Sequence, residues 1–190
     1  MTSRAEAAEH TRAALLDAGL RIAEEHGLAA MSVNRVVAAA GVAKGTFYVH
    51  FPDRGAFLND LHERFHAQVA AGVGAAMAPL PPGRERLRRG METYLDLCLR
   101  HQGVKAMLLE ARNDPSVADQ VTARTSVFAS HAEPDLHAMG WPEAGPAAQL
   151  VVAMSAELSV TETGNGTADT EGRATLWKFL DRLDLTGGAG

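Results

Sequence analysis

Apolar residues recur at three- and four-residue spacing almost throughout this chain. No stretch alternates apolar and polar side chains for long enough to form a strand. With thirty-five alanines and only short β-branched runs, that pattern restricts the chain to helices packed on helices. It predicts an all-α fold of about nine helices. The 190 residues are 46% hydrophobic and 22% charged, enough to bury a core and incompatible with a disordered class. A lone cysteine, Cys98, excludes a disulfide framework and a multi-cysteine zinc site. The longest apolar-plus-glycine run, Val69 to Ala78, is too short to cross a bilayer. The opening MTSRAEAAEH has no apolar core of a secretory signal, so a soluble cytoplasmic chain is expected, with no membrane partner.

Helix boundaries are written in short-range signals. Ser3-x-x-Glu6 is a capping box for the first helix, which Gly27 stops. Ser32 caps a short second helix with Val33, Val36, Val37 and Ala40 as its stripe, and Gly41 ends it. Lys44 to His50 makes a very short third helix, broken by Pro52. Asp53 caps a fourth, with Phe57, Leu58, Leu61 and Phe65 inward, running to about Met77.

Ala78-Pro-Leu-Pro-Pro-Gly83 holds three prolines in six residues and reads as a linker between residues 1–77 and 84–190. Beyond it the pattern predicts helices over 84–102, 105–112, from about 115 to 139 with a kink near Pro134, 145–163, and from Asp169 or Thr170 to about 183. Thr186–Gly190 is expected to be disordered.

The two short helices around Ala40-Gly41-Val42-Ala43 form a helix-turn-helix pattern. Phe47 and Phe51, four apart, face inward together, while Lys44, Thr46, Tyr48 and His50 reach outward. A helix with one narrow buried side and exposed hydroxyls, a cation and an imidazole suits a DNA major groove. The net charge of −5 permits this, because residues 31–58 are locally basic: Arg35, Lys44 and Arg54 against Asp53 alone.

The stretch from Gly27 to Leu58 resembles the DNA-binding domain of the tetracycline-repressor (TetR) family. The resemblance is strongest at Ala40-Gly-Val and at Gly45-Thr-Phe-Tyr-x-His-Phe51 with Arg54 after it. It covers about residues 10–65; the rest agrees only as a pattern of helix lengths. The resemblance implies that Thr46, Tyr48 and His50 meet phosphates and base edges, with Lys44 at the N-terminal reading position. It implies backbone contacts, and sometimes a base contact, from Ser32 and Asn34, and a phosphate contact from Arg54, where the family usually has lysine. Ala43 departs from the usual Ser or Thr, losing a cap worth about 1 kcal/mol. Ala23, Val37 and Gly55 also depart, and none removes a DNA-facing group.

For the second region the resemblance implies an effector-binding and dimerisation bundle without a cofactor. Met91, Tyr94, Met107, Phe128, His131, Trp141, Met154 and Glu157 are the candidate pocket residues, and their lining favours an apolar or aromatic molecule. The last two helices carry more apolar surface than one packing face needs. Leu158, Leu176, Trp177, Leu180 and Leu183, with Leu150 and Phe179, are candidates for a homodimer interface. The implied function is a homodimeric regulator, most often a repressor, released from a palindromic operator on double-stranded DNA by an unknown small molecule.

Competing signals are weaker. His62-Glu63-Arg64-Phe65-His66 is H-E-x-x-H, in which two histidines on one helix face bind zinc and the glutamate acts as general base of a hydrolase. No third histidine follows at the extended spacing, and a surface histidine pair is the simpler expectation. No G-x-S-x-G elbow exists, and Gly41-Val-Ala-Lys-Gly-Thr lacks the strand and spacing of a phosphate loop.

Overall fold

The computed structural model describes residues 3–27, 30–111 and 115–187, with side chains given outside 107–125 and residue 187. Among the described residues there is no strand, and the regular structure is nine α-helices followed by a 3-10 turn. These are α1 (Arg4–His26), α2 (Val33–Ala40), α3 (Lys44–His50), α4 (Arg54–Met77), α5 (Arg84–Arg100), α6 (Gln102–Ala111), α7 (Pro115–Ala138), α8 (Ala144–Asn165) and α9 (Thr170–Arg182).

The caps explain most of the boundaries. Ser3 and Glu6 form the reciprocal capping box: the Ser3 N–H donates to Glu6 Oε2 at 2.6 Å, and the Glu6 N–H to Ser3 Oγ at 3.2 Å. Asp53 accepts from the Ala56 N–H at 2.8 Å, and Asp169 from the Gly172 N–H at 2.9 Å. Two expectations fail at the ends of helices. α5 stops at Arg100 and α6 starts at Gln102, three residues before Lys105, with Gly103 accommodated in its first turn. The terminal segment is ordered further than expected: Leu185–Gly187 forms the 3-10 turn, held where the Leu185 N–H donates to Met139 O at 3.0 Å. Residues 188–190 lie outside the described part.

By packing, the chain divides into Met1–Ala67 and Gln68–Gly190. This division falls within α4, ten residues before the proline segment that marks the boundary in sequence. The later half of α4 belongs with the second unit because its side chains lie against α5. A Cβ on Gly90 would come within 2.6 Å of Met77 Sδ, so the missing side chain of Gly90 is what admits Met77. In the first unit α1 packs on α2 and α2 on α3. Leu15, Val36, Phe47, Phe51, Phe57, Leu61 and Phe65 are its buried core. In the second, α7 packs along α8 and α5 against both, around Leu87, Leu95, Leu136, Val151, Leu176 and Leu180.

Candidate nucleic-acid interface

The turn between α2 and α3 depends on Gly41, whose φ of 70° and ψ of 28° lie in the left-handed region that side chains disfavour. The Val42 N–H reaches back to Val37 O at 3.0 Å and the Gly41 N–H to Ala38 O at 3.2 Å. Together they close a Schellman motif that satisfies two of the four end carbonyls of α2, those of Val37 and Ala38. Ser32 caps the other end of α2, accepting from the Arg35 N–H at 3.3 Å. Ala43 gives α3 no side-chain cap, as its sequence requires.

With so little intrinsic support, a seven-residue helix is held by what lies beneath it. Phe47 and Phe51 are fully buried. Their rings stand 5.3 Å apart, and each packs on Phe57 of α4, at 5.3 Å and 5.0 Å. Arg12 of α1 lies over the Phe51 ring and pairs with Asp60, and Arg64 of α4 grips Asp17 of α1 through two oxygens. These pairs neutralise two of the first unit's cations. Lys44 and Arg54, both exposed, form no ion pair among the described residues, so local positive charge collects at α3 and the start of α4.

The predicted DNA-facing residues are placed on this surface. Ser32, Asn34, Lys44, Tyr48 and Arg54 are exposed, and Thr46 and His50 are half-buried. Tyr48 is 51% exposed, its ring edge-on to Phe47 at 5.4 Å, so packing orients a phenol whose hydroxyl is left to solvent. Sequence reasoning passed over Val49, which is 80% exposed on the same helix.

Residues 15–61 match the tetR family, described as bacterial regulatory proteins. That match runs from within α1 to within α4 and takes in the whole of α2 and α3. It is 35% identical over 91 residues, 48% of its length, to the HTH-type transcriptional repressor LfrR of Mycolicibacterium smegmatis. That alignment spans 47% of the relative, so the chain matches under half the length of such relatives. A TetR transcriptional regulator from Streptomyces coelicolor shares 26% identity at a TM-score of 0.56, covering 91% of this chain and 96% of that one. A transcriptional regulator from Rhodococcus shares the fold at a TM-score of 0.73 and 22% identity, covering 93% and 96%. Members of the family are regulators, not enzymes.

That leaves no support for the zinc-hydrolase alternative, and the H-E-x-x-H segment lies within α4. His62 is buried, not on the surface as expected, and its ring meets that of His66 edge-to-face at 4.9 Å. No group of three metal-ligating side chains exists among the described residues.

The second unit separates the candidate pocket residues. Tyr94 and Phe128 meet at 5.4 Å in a T-shaped pair, and Met91 and Met154 belong to the same apolar cluster. Trp141 also packs against that cluster and ties down the segment after α9, its indole donating to Leu183 O at 2.6 Å. His131 and Glu157 are exposed rather than turned into the bundle. The Met107 side chain lies outside the described residues. Of the candidate dimer residues, Leu176 and Leu180 are corrected to core: both are buried within their own chain. Leu158, Trp177 and Leu183 are half-buried against that core, whereas Leu150 and Phe179 are 69% and 55% exposed.

Buried polar groups in this unit escaped the sequence. Lys105 Nζ donates to Tyr94 Oη at 3.2 Å, and Tyr94 Oη lies 3.5 Å from Ser159 Oγ. Burial pushes the Tyr94 hydroxyl up from its ordinary pKa, and the nearby Cys98 adds to the shift; burial likewise pushes the Cys98 thiol up, with Lys105 opposing in both cases. Glu162 is buried and receives two bonds from Arg173, at 2.6 Å and 2.9 Å. No helix of the described residues is long and apolar enough to cross a membrane.

Proposed function

We propose that this chain is a homodimeric transcriptional regulator acting in the cytoplasm as a repressor. In this reading it binds a palindromic operator and leaves it when a small apolar or aromatic molecule enters the second unit. The observation that carries the reading is α3: a short helix anchored by a closed aromatic floor and presenting Lys44, Thr46, Tyr48 and His50 on its open sides. One such helix reads only a few base pairs, and two related by a twofold axis read half-sites about 34–36 Å apart. The exposed Leu150 and Phe179 on α8 and α9 support pairing through those helices.

Tyr48 and Arg54 position the helix on phosphates, while Lys44 and His50 reach base edges, with Ser32 and Asn34 on the flanking backbone. Met91, Tyr94, Phe128 and Met154 are the proposed effector-facing set. The effector acts through unequal affinity for two dimer arrangements, transmitted by α4, which starts in the first unit and ends in the second. Weakening operator binding sixfold to a hundredfold requires roughly 1–3 kcal/mol of coupling.

The test is selection of duplexes from genomic fragments, followed by gel shifts with the purified chain. Binding should be palindrome-specific and salt-steep, and lost in Tyr48→Ala or Arg54→Ala with unchanged thermal unfolding. A folded protein that selects no sequence, or variants that bind as well as the parent, would overturn the reading.

A further inference from the structure

We propose that Val49 is a specificity-determining residue that reads a thymine methyl group in each half-site. The inference rests on the DNA-binding reading above and adds a base and a contact to it. Val49 sits two residues after Phe47 and two before Phe51, both fully buried. At 3.6 residues per turn this places it about opposite the buried side, at the outermost line of α3. Among the described residues it is the most exposed of the large hydrophobic ones, at 80%. No partner within the described residues accounts for that isopropyl group.

Gly45 lies one turn earlier on the same outer line. Its φ is not in the left-handed region, and a Cβ built on it would meet nothing within 4 Å. Neither backbone geometry nor packing inside the chain therefore requires glycine there, and a helix is weakened by it. A close external approach does account for it. The outer line of α3 thus offers bare backbone at one end and two methyl groups at the other, flanked by Tyr48 and Thr46.

In a major groove the only apolar feature on a base edge is the thymine 5-methyl. A valine at the point of closest approach complements that methyl and leaves the amino or carbonyl group of any other base without a partner. Lys44, Tyr48 and His50 lie on the sides of the helix, where phosphates and neighbouring bases are reached.

The experiment uses the full chain and the duplex selected as its operator. Each thymine is replaced in turn by deoxyuridine, which removes the methyl alone, and binding is measured for the parent and for Val49→Ala. One thymine per half-site should weaken parent binding by about fourfold when replaced, and by about fifteenfold when both half-sites are changed, the effect expected of one buried methyl at each. Val49→Ala, whose unfolding should be unchanged because the side chain is exposed, should bind thymine and uracil duplexes alike. If no replacement matters, or if Val49→Ala keeps the same thymine preference, the proposal is overturned while DNA binding stands. If no duplex is selected at all, both fall together.

Discussion

The two units are stabilised by different means. In the first, the buried groups beneath α3 are aromatic rings and aliphatic side chains, and its charged pairs, Arg12 with Asp60 and Arg64 with Asp17, are partly exposed. In the second, carboxylates are taken fully into the interior: Glu162 against Arg173, and Asp135 against Arg86 Nε at 2.6 Å and the Gly83 N–H at 2.8 Å. An apolar floor tolerates a freely varied polar surface above it, which suits a reading head. A buried ionic network ties particular helices together and fails sharply when one member is removed. The proposed function uses that difference, with a fixed surface in one region and an effector-responsive interior in the other.

The largest effects should come from the buried groups. Phe47→Ala removes the ring on which α3 rests and should cost about 3–5 kcal/mol, read as loss of DNA binding and a lower denaturation midpoint. Glu162→Ala removes both bonds from Arg173 to the buried carboxylate and leaves it only Asp96, at 2.6 Å, so it should cost about 3 kcal/mol. Both tryptophans, Trp141 and Trp177, lie in the second unit, so their fluorescence follows that unit directly. Equal fluorescence transitions for Glu162→Ala and the parent would break the contrast.

Alkaline pH sharpens it. The folded chain keeps the Cys98 and Tyr94 protons beyond the ordinary values of 9.0 and 10.0. Above pH 9 the unfolded chain therefore binds fewer protons than the folded one, and stability falls as pH rises. Below pH 9 this contribution is fully present. The parent should lose fluorescence-monitored stability between pH 9 and 11, and Cys98→Ala with Tyr94→Phe should flatten that loss; a parent whose stability does not change over this range would contradict the assignment.

The smallest change in stability belongs to Gly45→Ala. Open space and an ordinary φ mean the added methyl should stabilise α3, by at most about 1 kcal/mol. DNA binding should nevertheless weaken, because the methyl stands where the groove floor approaches. A variant that is both more stable and binds equally well would remove Gly45 from the interface.

How much of this was legible in the sequence follows from the range of each interaction. Ser3 with Glu6, Ser32, Gly41, Asp53 and Asp169 act on backbone groups a few residues away, so their type and spacing announce them. The exposed side of α3 follows from the same short-range geometry once Phe47 and Phe51 are taken as inward. Val49 was overlooked because an apolar residue on a short helix reads as core until the opposite side is known to be buried. Glu162 with Arg173 and Asp135 with Arg86 join residues 11 and 49 apart across separate helices, and no local pattern predicts such meetings. Two of the dimer candidates differ for a related reason: Leu176 and Leu180 look surplus on a helical wheel, and only tertiary packing shows their own chain burying them.

The central claim is that the outer line of α3 lies in a major groove, once per half-site. It is tested by Ala43→Cys, at the exposed entrance to α3, carrying an iron-EDTA cleavage reagent, with the buried Cys98 left unlabelled. Bound to the selected duplex, the labelled protein should cut in two symmetric clusters about 34–36 Å apart, or a multiple of that spacing. Uniform cutting along the duplex, or no cutting by a protein that still binds it, would contradict the account.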